Sequence, residues 1–126
     1  LWRSMIFKET KSIYRQIADR LCDEILQGKY REEERIPSVR EYAATVEVNA
    51  NTVVRSYDQL QSEEVIYNKR GIGYFVAANA ADRIKELRRA TFMSEELPEF
   101  FSRIAILDIQ IKDIEELYNK WKQENG

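Results

Sequence analysis

In the first part of the chain, apolar residues recur at every fourth position, at Ile13, Ile17, Leu21 and Ile25. This spacing is typical of the buried face of a helix. Ser12 precedes the run as an N-cap, and Gly28 follows it as a helix stop. The pattern predicts a first helix from Ser12 to Gly28 whose apolar face contributes to a core.

Two shorter helices are predicted next, over residues 38–45 and 50–62. Ser38 and Glu41 have the spacing of a capping box, and Asn49 is an N-cap for the second of these helices. Apolar residues repeat along both helices at helical spacing, at Val39, Tyr42, Ala43, Val46, Val53, Tyr57 and Leu60. Two short helices that meet across a turn of about four residues have the spacing of a helix-turn-helix.

Two segments rich in β-formers follow, over residues 65–67 and 74–76. A basic stretch with two glycines separates them, Asn68-Lys69-Arg70-Gly71-Ile72-Gly73. This arrangement predicts a β-hairpin with a basic tip. Three helices and a hairpin are the parts of a winged helix-turn-helix, so we expect a mostly α fold with a small β-hairpin over residues 1–78.

Residues 79–126 predict a two-helix tail. Asn79 and Asp82 open the first helix, and Leu97-Pro98 should end it, because a residue before proline disfavours the helical conformation. In the second helix, apolar residues alternate in steps of four and three, at Phe100, Ile104, Leu107, Ile111, Ile114, Tyr118 and Trp121. This heptad seam indicates a dimerisation tail, because two helices cannot cover so much apolar surface. The alternative is that the heptads fold back within one chain.

Composition narrows the functions that the chain can have. Of 126 residues, 44% are hydrophobic and 33% charged, with a formal net charge of −2. No apolar run approaches the roughly 18 residues that span a bilayer, and no signal peptide is evident, so we expect a cytoplasmic protein without a membrane partner. A DNA-binding surface on such a chain must be a local basic patch.

The residues that enzymes and metal sites need are scarce. Histidine is absent, and Cys22 is the only cysteine, in a context typical of a buried small hydrophobe. No glycine-rich phosphate loop or metal-spaced cluster is present. We therefore expect a protein that is not an enzyme and that has no metal and no cofactor.

The stretch from Ile13 to Val76 resembles the GntR family of bacterial transcription regulators. The likeness lies in IYRQI at 13–17 with ILQG at 25–28, in RIPSVRE at 35–41, and in NANTV at 49–53 leading to RGIGYFV at 70–76. These blocks cover about half of the chain in the order and spacing of the family. The short tail is similar to the YtrA branch, whose members carry two C-terminal helices where other branches have a large effector-binding domain.

The resemblance implies DNA contacts from the second helix, from the start of the third or recognition helix, and from the hairpin tip, or wing. By this resemblance, the residues expected to contact DNA are Arg40, Ala50, Asn51, Thr52, Arg55, Lys69, Arg70 and Gly71. An asparagine amide pairs bidentately with adenine, an arginine reads guanine or phosphate, and basic wing residues reach the flanking backbone or minor groove. The alternative is that these residues have a structural role. Asparagine is also favoured near helix starts, and basic residues also protect exposed hairpin edges.

Three residues depart from the commonest pattern of the family. Ala50 and Val54 stand where many members carry arginine or another polar residue, so base reading rests on fewer side chains. Glu47 stands where glycine is frequent, in the turn between the second and third helices. A left-handed backbone at this residue costs on the order of 1 kcal/mol.

The sequence thus predicts a sequence-specific DNA-binding transcription regulator. By resemblance it is a repressor, and it binds a two-fold symmetric operator in double-stranded DNA as a homodimer. The alternative is a winged helix that serves as a protein-interaction module without specific DNA binding, because a fold alone does not determine function. The sequence contains no pocket-forming domain, and a small-molecule effector is left open.

Overall fold

The computed structural model describes residues 11–126, which divide into two compact units. The first unit ends at Arg88 and the second comprises Arg89–Gly126. The first unit therefore extends beyond the expected domain of residues 1–78, because Ala80 and Ile84 are buried in its core. Over the described residues, no helix is both long and apolar enough to cross a lipid bilayer.

The first unit opens with three helices: α1 (Ile13–Leu26), α2 (Val39–Val46) and α3 (Ala50–Ser62). The predicted capping box is present at the start of α2. The Glu41 N–H donates to Ser38 Oγ at 3.1 Å, and the Ser38 N–H donates to the Glu41 carboxylate at 2.9 Å. In the turn between α2 and α3, Glu47 has a left-handed backbone, with φ 57° and ψ 49°. The helix-turn-helix is therefore confirmed.

A hairpin of β1 (Ile66–Lys69) and β2 (Gly73–Val76) follows α3. The strand β2 also pairs with the segment that precedes α2. The Ile36 N–H donates to the Tyr74 carbonyl, and the Val76 N–H donates to the Glu34 carbonyl, each at 2.9 Å. The hairpin is thereby attached to the helix-turn-helix, and the mostly helical fold with a small β-hairpin is as predicted.

The core of the first unit draws on every one of these elements. Its fully buried side chains include Leu21, Ile36, Tyr42, Val53, Tyr57, Leu60, Val65, Ile66, Val76 and Ile84. The prediction for the face of α1 is confirmed at Ile17, Leu21 and Ile25. It is wrong at Ile13, which is 60% exposed.

Two buried hydroxyl groups connect the helices. Tyr42 on α2 donates to the buried carboxylate of Glu24 on α1 at 2.6 Å, and Lys29 reaches the same carboxylate at 3.2 Å. Tyr57 on α3 donates to the carbonyl oxygen of Pro37 at 2.7 Å. Burial raises the pKa of both tyrosines above their usual value, so both remain neutral donors. These bonds join α2 to α1, and α3 to the segment that precedes α2.

The chain stays helical beyond the hairpin, through α4 (Ala80–Thr91), a π-helical turn (Phe92–Glu96) and α5 (Leu97–Ile106). The predicted helix end at Leu97-Pro98 is therefore wrong. Pro98 lies in the first turn of α5, where its missing N–H costs little. The wider turn before it, in which the Leu97 N–H donates to the Phe92 carbonyl five residues back, accommodates the proline ring.

The predicted continuous seam is also wrong, because a turn over residues 107–110 separates α5 from α6 (Ile111–Asn125). Asp108 adopts a left-handed backbone with φ 55°, a conformation that aspartate tolerates better than most residues. The Ile109 N–H then donates to the Ile104 carbonyl at 2.9 Å and closes the end of α5. The seven seam residues are thus divided between α5, the turn and α6.

Candidate nucleic-acid interface

Arg40 lies in the first turn of α2 and is exposed. The neighbouring Glu41 carboxylate accepts the Ser38 backbone N–H, and this bond together with the Ser38 side chain lowers the pKa of Glu41 below its usual value. Within the described part of the chain, Arg40 forms no ion pair with Glu41 or Glu47. Its guanidinium thus lies exposed at the N-terminal end of a helix, which is the positive end of the helix dipole.

The recognition helix α3 exposes a side-chain amide in its first turn. Asn49 caps the helix by accepting the Asn51 N–H at 2.8 Å, so capping does not occupy the side chain of Asn51. Asn51 is exposed, whereas Ala50 packs against the core and Thr52 is half-buried. Of these three predicted contacts, Asn51 is the one whose side chain is open to a base edge.

Arg55 lies one turn after Asn51, on the same face of α3, because residues four positions apart are neighbours on a helix surface. It is exposed, and its guanidinium carbon lies 4.2 Å from the ring centroid of Tyr14 on α1. This distance is within the range of a cation–π contact. Tyr14 is half-exposed beneath Arg55.

The wing presents its cations at a tight turn. The Ile72 N–H donates to the Lys69 carbonyl at 2.9 Å across this turn, and Gly71 has φ 79°, which glycine adopts without strain. Lys69 Nζ lies 4.5 Å from the ring centroid of Phe75 on the opposite strand. Arg70 is exposed at the tip. Both cations of the wing therefore remain at the surface.

The base of the wing is braced by Arg35. A Cβ atom at Gly73, where φ is 144°, would lie 2.9 Å from Arg35 Nε, so a larger residue there would adopt a strained backbone and displace this side chain. On the neighbouring pair, the rings of Tyr67 and Phe75 stack at 5.8 Å. The Tyr67 hydroxyl donates to Glu33, and this hydrogen bond raises the pKa of Tyr67 above its usual value. These contacts hold the strands under the tip.

The predicted DNA contacts thus fall into three groups, at the start of α2, on α3 and on the wing, and all three belong to the first unit. Sequence reasoning missed two residues around them, Tyr14 and Phe75, each of which lies under a cation. Both are aromatic residues that stay half-exposed in the folded protein. The seam residues belong to the second unit, where Ile104 is buried, Ile114 is half-buried, and the others are exposed.

The chemistry of the remaining groups does not suggest catalysis. Burial raises the pKa of the Cys22 thiol to about 12, so the thiol stays protonated and unreactive. Among the described residues, no group of histidine, cysteine, aspartate or glutamate is arranged to hold a metal ion. A capped recognition helix with exposed amide and guanidinium groups, next to a basic wing, defines a DNA-binding winged-helix regulator.

Comparison with known proteins identifies the family to which this regulator belongs. Residues 13–76 match the family described as "Bacterial regulatory proteins, gntR family". The chain belongs to this family, and its relatives are transcription regulators, not enzymes. A solved transcriptional regulator of the GntR family from Bacteroides thetaiotaomicron is 56% identical, with a TM-score of 0.81 over 91% of this chain and 100% of that one.

Two further relatives bear on the function. The HTH-type transcriptional repressor YtrA of Bacillus subtilis (strain 168) is 30% identical over 118 residues, which are 93% of this chain and 86% of YtrA. The DNA-binding domain of AraR, solved in complex with operator ORX1, is 28% identical with a TM-score of 0.52 over 54% of this chain and 82% of that chain. The similarity to the YtrA branch is thereby confirmed.

Proposed function

We propose that this protein is a transcription repressor that binds a two-fold symmetric operator in double-stranded DNA as a homodimer. The observation that carries the proposal is the exposed face of α3, which presents Asn51 and Arg55 one turn apart, while Arg40 is exposed in the first turn of α2. YtrA is described as a repressor, and the AraR domain was solved on an operator, which supports the same role here. Such a role places the protein in the bacterial cytoplasm.

Each contact residue has a chemical task in this proposal. Asn51 pairs with adenine, and Arg55 reads guanine through its paired N–H donors. Arg40 binds a phosphate beside the start of α2. Lys69 and Arg70 bind the backbone that flanks the half-site. Thr52 contacts a phosphate or a thymine methyl group. Ala50 and Gly71 allow the backbone of α3 and the wing to approach the DNA closely.

The tail supplies the second half of the proposal. In the second unit, large apolar side chains are exposed at Phe92, Met93, Phe100, Phe101, Ile106, Leu107, Ile109, Ile111, Leu117, Tyr118 and Trp121. Exposed apolar surface of this extent marks an interaction site. A second copy of the same chain covers it in our proposal, and symmetry then places two winged-helix units on two half-sites.

The DNA contacts are tested by selecting bound sequences from a random DNA pool and then titrating the selected operator. Arg40→Ala should weaken binding by about 1–3 kcal/mol without unfolding the protein. The matched control is Arg20→Ala, an exposed arginine of α1, which should leave affinity unchanged. Asn51→Ala should change the preferred base at one position of each half-site. A uniform loss for every sequence would instead make Asn51 a backbone contact.

The homodimer is tested by placing a charge on the seam. Ile111→Asp should cost several kcal/mol of dimer stability, because the carboxylate must be buried against its symmetry mate, and sedimentation should show a monomer. Asn119→Asp adds the same charge on α6 away from the seam and should leave the dimer intact. Operator affinity should fall with dimerisation, because linked half-sites bind at a high effective concentration. A dimeric Ile111→Asp protein would contradict the proposed interface.

The rival interpretation, a protein-interaction module, makes a different prediction about salt. Specific DNA binding should weaken steeply as salt rises, because each neutralised phosphate releases counterions. An apolar protein interface should not respond in this way. A wild-type protein that selects no sequence from the pool would contradict the proposed repressor function.

A further inference from the structure

The contact between Tyr14 and Arg55 joins the first helix to the recognition helix. The guanidinium carbon of Arg55 lies 4.2 Å from the centroid of the Tyr14 ring. Asp58 stands three positions further along α3, where ion pairs commonly form. Among the described residues, however, Arg55 forms no ion pair with Asp58 or with any other carboxylate. Among the described residues, the Tyr14 ring is therefore the contact partner of this guanidinium.

Tyr14 itself is anchored next to Arg55. The buried hydroxyl of Ser56 lies 2.7 Å from the Tyr14 carbonyl oxygen and 3.1 Å from the Thr52 carbonyl oxygen. Ile17, one turn after Tyr14 on α1, is buried in the core. The backbone beneath the ring is thus tied to α3 at the residue that follows Arg55.

We infer that Tyr14 is a positioning residue for DNA reading: it holds the Arg55 guanidinium on its ring, on the face of α3 that carries Asn51, so that Arg55 reads one base of each half-site. This inference rests on the proposed DNA-binding function. It assigns a role in base selection to a residue that lies outside the helix-turn-helix.

The geometry of stacking explains why this contact helps binding. A guanidinium that stacks through its face keeps its in-plane N–H donors free, and these donors pair with the two acceptors on the major-groove edge of guanine. A free arginine side chain loses rotamer entropy when it binds. A ring that already orders the guanidinium removes part of this cost before the DNA arrives.

The test is a double-mutant cycle on the selected operator, with Tyr14→Leu, Arg55→Ala and the double variant. A contact of this kind is worth about 0.5–1 kcal/mol at an exposed site, so Tyr14→Leu should weaken binding about 2- to 5-fold. Tyr14→Phe keeps the ring and should retain wild-type affinity. In the Arg55→Ala background, Tyr14→Leu should cause no further loss. Both single variants should relax base preference at the same position of the half-site.

The matched control is Tyr30→Leu. Tyr30 also lies beside a cation, with Lys29 Nζ 5.6 Å from its ring centroid, but both residues stand in the loop after α1 and this cation does not belong to the recognition helix. This variant should leave affinity and base preference unchanged. Thermal unfolding of every variant shows whether the winged-helix unit is folded at the temperature of the titration.

Three results would overturn the inference while leaving the proposed function standing. Additive losses in the cycle would show that Tyr14 acts independently of Arg55. Unchanged or higher affinity of Tyr14→Leu would show that the ring does not help, or that it competes with DNA for the guanidinium. Relaxed base preference at different positions would separate the two residues. If the wild-type protein binds no DNA, the proposed function and this inference both fail.

Discussion

The buried hydroxyl of Tyr42 provides the sharpest test of how the winged-helix unit is held together. Tyr42→Phe removes a donor that lies 2.6 Å from the Glu24 carboxylate and leaves the rest of the side chain in place. Tyr57→Phe is the matched control, because the Tyr57 hydroxyl donates over 2.7 Å to a neutral acceptor, the Pro37 carbonyl. Both rings are almost fully buried, at 1% and 0% exposure, so the two changes differ mainly in the charge of the acceptor.

The acceptor determines the expected cost. A hydrogen bond to a charged group contributes about 1.5–3 kcal/mol, whereas one between neutral groups contributes about 0.5–1.5 kcal/mol. We therefore expect Tyr42→Phe to lower the free energy of unfolding by about 2 kcal/mol, and Tyr57→Phe by about 1 kcal/mol. Lys29 also contacts Glu24, but it is largely exposed to solvent and cannot replace the lost donor inside the core.

The assay is urea unfolding, with far-UV circular dichroism as the signal. Each kcal/mol corresponds to a shift in Tm of about 4–8 °C for a domain of this size, so thermal unfolding provides a second readout. A Glu24→Gln background completes a double-mutant cycle. In that background the acceptor is neutral, and Tyr42→Phe should cost no more than Tyr57→Phe does in the wild type.

Equal costs for the two tyrosine variants in the wild-type background would refute this reasoning. The hydroxyl of Tyr42 would then gain nothing from the charge of Glu24. An unchanged cost of Tyr42→Phe in the Glu24→Gln background would lead to the same conclusion.

Three further predictions concern the turn, the helix cap and the wing. Glu47→Gly should stabilise the protein by about 0.5–1 kcal/mol in urea unfolding, because glycine adopts the left-handed backbone without strain, and Glu47→Ala should give no such gain. The pKa of Glu41 is lowered in the folded state, so its contribution is present above its ordinary pKa of 4.5 and is lost as the pH falls through the folded value. Glu41→Gln should therefore lower stability at pH 7 and flatten the acid limb of a stability profile, and an unchanged limb would contradict this origin. Lys69→Ala with Arg70→Ala should weaken binding to operator and random DNA alike and reduce the salt slope by up to about two, whereas an unaltered slope would place the wing away from DNA.

Much of the winged helix could be predicted from the sequence, because its signals are local. The bonds of the capping box join Ser38 to Glu41, and the Asn49 cap acts within one turn. The hairpin tip needs only its own glycines and a tight turn. Interactions over such short distances along the chain are specified by neighbouring residue types.

The tail shows where local patterns mislead. The heptad spacing continues through residues 107–110, yet the chain turns there, because Asp108 takes a left-handed backbone and the end of α5 is closed by its own backbone bonds. The Leu97-Pro98 pair reads as a stop, yet a π-helical turn keeps the chain helical. Periodicity records which positions are apolar, and it does not record the backbone conformation between them.

The sequence by itself determined the winged helix-turn-helix and the family blocks, and from these came the residues proposed to contact DNA. Only the tertiary structure showed which side chains and strands contact those residues and their elements. Tyr14 and Arg55 lie on different helices, and the segment before α2 pairs with β2 from a distant part of the chain. Contacts between positions so far apart depend on how the helices pack around a shared core, and no local pattern of residue types encodes that packing.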